Sequence, residues 1–283
     1  MEGRIRVAAV GDNCMDCYDD LGKSFPGGNP VNVAVYIRRL GGEASYTGAV
    51  GTDESGRRMV EAIRGKGVDT SHVQVLEGKT AVSHVQIVDG DRVFGEYEEG
   101  VLADFKLRQE DISFLCAQDL VVTGIWGMIE GELPRIIQNV PVAFDFANKF
   151  ASPVVDQALP YVTYAFFSYD EEAKEEFARR YQSLGLEPKD SEEELLGCFL
   201  EAVQSKGPRV VVVTRGSKGS LAWDGKQRYC YGIAKCEVVD TMGAGDSFIA
   251  GFLYGILQGR SIPEAMEAGA ENSAVTLGYS GAW

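Results

Sequence analysis

The sequence predicts an α/β fold in which a parallel sheet lies between two layers of helices. Short, almost entirely apolar runs alternate with segments whose apolar residues recur at helical spacing. Strands that are apolar on both faces are typical of parallel sheets covered by helices on both sides. The chain has 283 residues, 45% of them apolar, which is enough for a large core. We therefore predict a single domain over residues 1–283.

The predicted elements follow one another regularly along most of the chain. Helices are predicted at 31–41 and 54–67, and the first of these ends at Gly41, a residue that favours the end of a helix. An acidic loop at 183–197 is predicted to lead into a surface helix capped by Ser191. The predicted strands are 6–11, 44–51, 120–127, 141–148, 164–168 and 209–216.

Residues 80–100 interrupt this alternation. Two strand-like runs are joined there by Asp89-Gly90, and Asp-Gly between such runs is a strong β-hairpin signal because both turn positions favour positive φ. The many charged residues of the segment predict that one face is open to solvent or to a ligand. We interpret the hairpin as an accessory flap.

The composition excludes several classes of function. A net charge of -15 predicts a surface that repels phosphate backbones, so we expect no nucleic-acid partner. No run approaches the roughly 20 apolar residues of a membrane span, and the N-terminus lacks a signal-peptide pattern, so we expect a cytoplasmic protein. Cys14 and Cys17 form a C-x-x-C that suggests redox or zinc chemistry. With only two histidines in the chain, we prefer to interpret the six cysteines as small buried apolar residues.

The most informative stretch is DTMGAGDSFIAGF, residues 240–252. Phe248, Phe252 and Leu253 belong to the apolar stripe of a helix that begins near Asp246. Unpaired N–H groups at a helix N-terminus bind anions, and glycines allow the anion to approach the backbone. Asp246 is therefore either a helix cap or a base beside a bound anion. Asp240 could neutralise a cation behind the turn.

Other catalytic motifs fit poorly. Gly78-Lys79-Thr80 ends like a Walker A loop, but Val73 occupies the position of its first glycine. No Rossmann G-x-G-x-x-G follows the first strand. His72 and His84 are the only imidazoles available for Ser-His or Cys-His chemistry. The residues support phosphoryl transfer with a carboxylate base.

Two segments resemble the signatures of the ribokinase-like (PfkB) carbohydrate kinases. The stretch at 240–252 is similar to their C-terminal signature, and FPGGNPVNVAV at 25–35 is similar to their N-terminal signature. The two occur in the family's order, and the resemblance covers essentially the whole chain. It implies a three-layer α/β/α core with a small β-sheet lid, formed by segments near 12–26 and 80–100. Lids of this family often pair across a homodimer, which we expect here.

The resemblance also implies roles in phosphoryl transfer. Asp246 matches the family's catalytic base, which takes the proton from a sugar hydroxyl as that oxygen attacks the γ-phosphorus of ATP. Gly243, Ala244 and Gly245 match the anion hole for the transferred phosphoryl group. Mg²⁺ would accompany ATP. Asp240 matches a position tied to K⁺ in potassium-activated members.

Further positions match ligand contacts of the family. Those implied for the sugar are Asp12, Asp16, Gly27, Gly28 and Asn32, to which Arg92 of the flap is added as a candidate for substrate or phosphate. Those implied for ATP are Ser168, Glu171, Thr214, Gly216 and Gly219. We expect Asp16 to end the first strand, where a carboxylate suits sugar hydroxyls, although it could instead be a turn residue. Asn32 could instead be a first-turn helix residue and Arg92 a solvated charge. Many members carry N-x-x-E where this chain has Ser168-Tyr169-Asp170-Glu171, which puts the role of the first position in doubt.

The substrate is the least determined property. GDNCMDCY, DRVFGEYEEGVLADF and the final GAW resemble those family members that phosphorylate fructoselysine, a sugar joined to the ε-amine of lysine. We hypothesise that Glu96 or Glu98 of the flap meets the cationic amine; the alternative is that both are solvated edge charges. Another ketose or a nucleoside-like sugar is the alternative substrate. A catalytically silent binding protein is the alternative function.

Overall fold

A computed structural model describes residues 4–18, 22–88 and 91–283, with the side chains of 87, 88 and 91–94 left undescribed. An eight-stranded sheet forms the centre of the molecule, in the strand order β14-β13-β12-β11-β10-β9-β1-β4. The six strands from β12 to β4 are parallel, and β13 and β14 are added antiparallel at one edge. Their bounds are β1 Arg6–Val10, β4 Glu43–Thr47, β9 Leu120–Gly124, β10 Val142–Asp145, β11 Tyr164–Ser168, β12 Val210–Thr214, β13 Ser220–Trp223 and β14 Arg228–Tyr231.

Helices cover both faces of this sheet, as predicted. Alternate residues of β1 face opposite cores: Val7 and Ala9 belong to one, and Ala8 and Val10 to the other. The first core is covered by α1, α2, α8 and α9, and the second by α3 to α7. The helices are α1 Asn29–Arg39, α2 Glu54–Gly65, α3 Gln109–Leu115, α4 Leu133–Ile136, α5 Pro153–Ala158, α6 Lys174–Ser183, α7 Glu192–Gln204, α8 Ala244–Leu257 and α9 Ile262–Leu277. The side chain of Ser191 caps α7 by accepting a hydrogen bond from the backbone N–H of Glu194.

A second sheet of four strands has the order β3-β2-β7-β8. The strands are β2 Cys14–Tyr18, β3 Lys23–Gly27, β7 Val82–Val88 and β8 Asp91–Glu98. Strands β7 and β8 are antiparallel neighbours, with one extra residue in β8 between the pairs Val85/Phe94 and Ser83/Tyr97. The predicted turn at Asp89-Gly90 lies outside the described residues.

Two predictions about strands were wrong. The run 44–51 is not one strand: the chain leaves the main sheet after β4, and β5 Ala49–Gly51 pairs instead with β6 Gln74–Leu76 in a small sheet. The break falls at Gly48, where a side chain would collide with the Tyr46 hydroxyl and the Gly11 carbonyl. The first strand ends at Val10, so Asp16 does not end it but lies within β2.

The interpretation of the cysteines was also wrong. Cys230 and Cys236 are exposed and the other four are half-buried, because Cys230 lies on the edge strand β14 and Cys236 on the exposed segment before α8. Cys14 and Cys17 are three residues apart within β2, so their side chains point to opposite faces. None of the helices in the described part of the chain combines the length and apolarity that crossing a bilayer requires.

Candidate active site

Polar residues collect at the carboxyl ends of the parallel strands. Asp12 follows β1 closely, Asp145 ends β10, Ser168 ends β11 and Thr214 ends β12. Ligands of open α/β sheets bind at this edge, because the loops and helix N-termini that follow the strands meet there. The candidate site therefore runs along one edge of the main sheet.

The segment Gly243–Asp246 forms the N-terminus of α8. Gly243 is the N-cap residue, with φ 71°, a left-handed conformation that glycine adopts without strain. The first α-helical bond runs from the N–H of Ser247 to the carbonyl of Gly243, so the N–H groups of Gly245 and Asp246 precede the helical ladder. A Cβ built on Gly245 would meet no described atom within 4 Å. Backbone donors and open space therefore lie beside Asp246, which is the geometry of an anion site.

Two asparagines hold the Asp246 carboxylate. Asn29 and Asn32, three residues apart in the first turn of α1, each donate a side-chain hydrogen bond of 2.6 Å, to Oδ1 and Oδ2 respectively. The same Nδ2 of Asn29 also donates to Asp145 Oδ2 at 2.8 Å. The Asp246 carboxylate is thus fixed in position although part of its surface remains exposed.

Asp246, Asp145 and Asp12 form an acidic cluster, in which Asp12 and Asp145 are buried and Asp246 is partly exposed. Burial raises the pKa of Asp246 to about 8; Asn32 and Asn29 oppose the rise by donating hydrogen bonds, and the charges of Asp145 and Asp12 add to it. Burial likewise raises the pKa of Asp145 and of Asp12 to about 6 each. Within the described ranges no lysine or arginine forms an ion pair with any of the three. Within the described residues, the negative charge that the cluster acquires as the pH rises is therefore not offset by an ion pair.

Asp12 receives the fewest hydrogen bonds of the three carboxylates in the cluster. Its Oδ2 accepts a 3.3 Å bond from the backbone N–H of Asn29, while its Oδ1 is buried and accepts no hydrogen bond from the described residues.

Gly27 and Gly28 lie at the same end of the site. A side chain on Gly27 would collide with the Asp16 carboxylate, and one on Gly28 (φ 111°) would lie 2.6 Å from the Asn13 Cα. The glycine pair thus lets the chain pack directly against the acidic residues.

The second sheet meets the site through one of its faces. Asp16, Ser83 and Tyr97 pair in register across β2, β7 and β8, so they share a face. The Asp16 carboxylate on this face lies against Gly27, and the adjoining Gly28 packs against the carbonyl of Asp12, so the face lies beside the acidic cluster. Burial raises the pKa of Tyr97 on the same face.

The flap glutamates do not follow the predicted arrangement. Glu98 pairs with Val82 and hence lies on the face opposite Tyr97, where its carboxylate is 3.3 Å from His84. The extra residue in β8 falls between Phe94 and Tyr97, so the regular alternation assumed for Glu96 and Glu98 is interrupted. This placement gives no support to the hypothesis that Glu98 meets the amine, which stays a prediction. The side chain of Arg92 lies outside the described residues.

The side chain of Asp240 links two segments by hydrogen bonds. Its carboxylate accepts the N–H of Met242 and the N–H of Gly281, each at 2.8 Å. These bonds hold the loop before α8 against the segment 280–283 that follows α9. These bonds give Asp240 a structural role, and its predicted binding of a cation stays a prediction.

The predicted nucleotide residues lie at the other end of the sheet edge. Ser168 Oγ and Thr214 Oγ1 are 3.2 Å apart on the neighbouring strands β11 and β12. Gly216 and Gly219 have φ of 53° and 81° in the turn between β12 and β13. Glu171 is exposed and pairs with Lys174 at 2.6 Å. Ser168 and Thr214 are half-buried and Glu171 is exposed, whereas Asp12 and Asp145 at the acidic end are buried.

Three residues of the site were not identified from the sequence. Asn29 stands directly after the predicted glycine pair, and Asp145 ends the run 141–148; a carboxylate at the end of a predicted parallel strand is a signal that could have identified it. Trp283, whose Nε1 donates to Asn32 Oδ1 at 2.7 Å, carried no such signal. Its contact depends on packing between distant segments.

Comparison with known proteins decides the family. The model of the pfkB family of carbohydrate kinases matches residues 7–283. The chain belongs to this family. The predicted family and the assignment as a sugar kinase are thus confirmed.

This pfkB kinase has curated relatives of nearly the same length. It is 41% identical to fructoselysine 6-kinase of Shigella flexneri, over 98% of this chain and 99% of the relative. It is 33% identical to a fructosamine kinase of Bacillus subtilis, over 99% of this chain and 93% of the relative. Among solved structures, Arabidopsis thaliana ribokinase in complex with ribose and ATP superposes with a TM-score of 0.82 at 21% identity, covering 99% of this chain and 94% of that one. The ribokinase-like fold is therefore confirmed.

Proposed function

We propose that this protein transfers the γ-phosphoryl group of ATP to the 6-hydroxyl of fructoselysine, giving fructoselysine 6-phosphate and ADP. The observation that carries the proposal is the Asp246 carboxylate, held by two amide donors beside the open N-terminus of α8. The names of the relatives at 33–41% identity support the choice of substrate.

In this mechanism Asp246 is the general base. It takes the proton of the 6-hydroxyl while that oxygen forms a bond to the γ-phosphorus and the bond to the bridging oxygen of ADP breaks. The turn of Gly243, Ala244 and Gly245 would face the charge on the transferred phosphoryl group. The N–H groups of Gly245 and Asp246 would supply its donors, since that of Ala244 bonds to the carbonyl of Thr241. Because the transition state is loose, fixed position and fixed donors supply most of the acceleration. The hydrogen bonds from Asn29 and Asn32 keep the base oriented before the substrate arrives.

ATP would lie along the open end of the sheet edge. Thr214, Gly216 and Gly219 would border the adenosine, and Ser168 and Glu171 would approach the phosphates. Mg²⁺ would be held mainly by phosphate oxygens and water, and one exposed carboxylate such as Glu171 fits that preference. The ion would neutralise part of the negative charge of the phosphates.

The acidic cluster provides a basis for selecting fructoselysine over fructose. Fructoselysine carries a cationic amine next to its sugar, whereas fructose is neutral. Asp12 and Asp145 are more than nine-tenths buried, and Asp12 Oδ1 has no hydrogen-bond donor within the described part of the chain. A cation entering this field gains electrostatic stabilisation in a region of low dielectric. We assign amine recognition to this cluster, with Asp12 and Asp16 on the side of the second sheet, in place of the flap glutamates.

Three further expectations belong to the proposal. The second sheet would act as a lid over the sugar and pair with that of a second copy in a homodimer, which sedimentation equilibrium would test. The kinase would work in the cytoplasm. Activation by K⁺ near Asp240 would appear as higher turnover in potassium chloride than in tetramethylammonium chloride at equal ionic strength.

The deciding experiment is a kinase assay with the purified protein, MgATP and a panel of sugars. Fructoselysine, psicoselysine, glucoselysine and fructose are each supplied, and the product is identified by ³¹P and ¹³C NMR. We expect phosphorylation at carbon 6 of fructoselysine with the highest kcat/KM. A higher kcat/KM for fructose would establish a ketose kinase instead. Tight ATP binding without turnover on any sugar would establish a silent relative.

A further inference from the structure

The segment 280–283 is connected to the catalytic centre by a chain of hydrogen bonds. Trp283 Nε1 donates to Asn32 Oδ1 at 2.7 Å, and Asn32 Nδ2 donates to Asp246 Oδ2 at 2.6 Å. The indole N–H can only donate, so the amide oxygen of Asn32 must face it. The amide nitrogen must then face Asp246. Trp283 thereby determines which end of the Asn32 amide the base contacts.

The segment that carries Trp283 is fixed at several points. Asp240 accepts the N–H of Gly281, and the hydroxyls of Tyr36 and Tyr279 both donate to the carbonyl of Ala282. The Lys66 ammonium lies 5.5 Å from the centre of the Trp283 ring. The indole is therefore held in place rather than free to follow Asn32.

Asn29, the other donor to Asp246, is fixed differently. Its Nδ2 lies between Asp145 and Asp246, and its Oδ1 is buried without a hydrogen bond from the described residues. Two carboxylates alone dictate its orientation. Among the described residues, the nitrogen of Asn32 bonds to the single carboxylate of Asp246, so the donor on its oxygen side decides its orientation.

We propose that Trp283 is a positioning residue, which holds the Asn32 amide so that it donates to Asp246 and keeps the base oriented and ionisable. The inference rests on the proposed role of Asp246. It assigns a function to a residue whose indole N–H bonds to Asn32 and not to the base itself.

The inference predicts a change in the pH dependence. A donor lost from Asp246 favours its protonated form, so the pKa of the base rises and the acid limb of kcat/KM moves to higher pH. Among the described residues, the other charged or titratable groups around this point are Asp12, Asp145, Tyr36, Tyr279, Arg39 and Lys66. All of them remain in the variant, and phenylalanine keeps an aromatic ring beside Lys66. In Trp283→Phe, which keeps an apolar ring, we expect a shift of about one pH unit and hence about a tenfold loss at pH 6.5. The loss should largely disappear above pH 9.

Two controls separate positioning from general damage. Trp223→Phe removes an indole from the half-buried end of β13, where Trp223 pairs with Val211 and not with a residue of the acidic cluster, and should leave the profile unchanged. In an Asn32→Ala background Trp283→Phe should have little additional effect, because its route to Asp246 is already gone. Additive losses in this cycle, or an unshifted acid limb, would overturn the inference.

A test independent of turnover uses the indole N–H resonances of the whole protein. The three tryptophans give three ¹⁵N–¹H indole signals, assigned by single Trp→Phe variants. We expect the Trp283 signal to titrate with a midpoint at about 8, the pKa of Asp246, and to lose this titration in Asp246→Asn but keep it in Asp12→Asn. A Trp283 signal that ignores pH in the wild type contradicts the inference. If the signal titrates as expected but no sugar is phosphorylated, the positioning contact stands and the proposed function fails.

Discussion

The acidic end and the nucleotide end of the site are built in opposite ways. Asp12, Asp145 and Asp246 lie among protein atoms, share hydrogen bonds with Asn29, and have raised pKa values. At the nucleotide end Glu171 is exposed and already paired with Lys174. The difference suggests that chemistry and sugar selection depend on groups fixed before binding, while ATP brings most of its own charge and its metal.

Removing the base should have the largest effect. Asp246→Asn keeps an amide that can still bond to α1 but cannot accept the proton of the sugar hydroxyl. General bases contribute about 10²–10⁴-fold, so kcat should fall by at least that amount, with ATP affinity retained. The measurement is kcat with fructoselysine, with ATP binding by calorimetry as the control. Turnover within a few-fold of wild type would remove Asp246 from the mechanism.

The next largest effect should come from blocking the backbone beside the base. Gly245→Val places a side chain where no described atom lies within 4 Å, so its thermal stability should change little while phosphate approach is obstructed. Gly243→Val is the matched contrast, because Gly243 has φ 71° and its side chain would collide with the Tyr36 hydroxyl. We expect Gly245→Val to lose activity with nearly wild-type Tm, and Gly243→Val to lose Tm as well. A Gly245→Val variant that is active but unstable would place the anion hole elsewhere.

The acidic end should also reduce stability as the pH rises. The pKa of Asp12 is about 6 in the folded protein against an ordinary value of 3.8, so the folded state binds the proton more tightly. The contribution of Asp12 to the free energy of unfolding is therefore greatest below about pH 4 and decreases as the pH rises through 6. Asp12→Asn removes the charge and should raise the free energy of unfolding by on the order of 1–3 kcal/mol at pH 8 relative to wild type, with little gain at pH 4.5. Urea unfolding at the two pH values measures this; an equal change at both would mean that the charge of Asp12 is not the cause.

The nucleotide end should give the smallest effect. Glu171 is exposed and its charge is offset by Lys174, so Glu171→Gln should raise the KM for MgATP by about tenfold or less, the scale of one hydrogen bond to a charged group. The KM for the sugar should stay the same. A loss as large as that in Asp246→Asn would show that the two ends are not as different as their burial indicates.

The same contrast explains what could be predicted from the sequence. The parallel sheet, its helices and the residues of GAGD follow from local pattern, since apolar runs and a glycine-rich helix start are properties of neighbouring residues. The break at Gly48 was missed because it depends on Tyr46 and Gly11, which meet only in the fold. Asn29 and Trp283 were missed for the same reason, as each contacts Asp246 or its partner across more than 200 residues of chain. The side of the sheet on which Glu98 lies could not be predicted, because the extra residue in β8 changes how this strand pairs with β7.

The central claim is that the acidic cluster selects a cationic sugar, and the specificity ratio of Asp12→Asn tests it most directly. The measurement is kcat/KM for fructoselysine divided by kcat/KM for fructose, in wild type and variant, at a pH above 8 where the wild-type cluster is ionised. We predict that the ratio falls by about tenfold, mainly through loss on fructoselysine, because one uncompensated charge that faced the amine is gone. An unchanged ratio, with equal losses on both sugars or none, would contradict the claim.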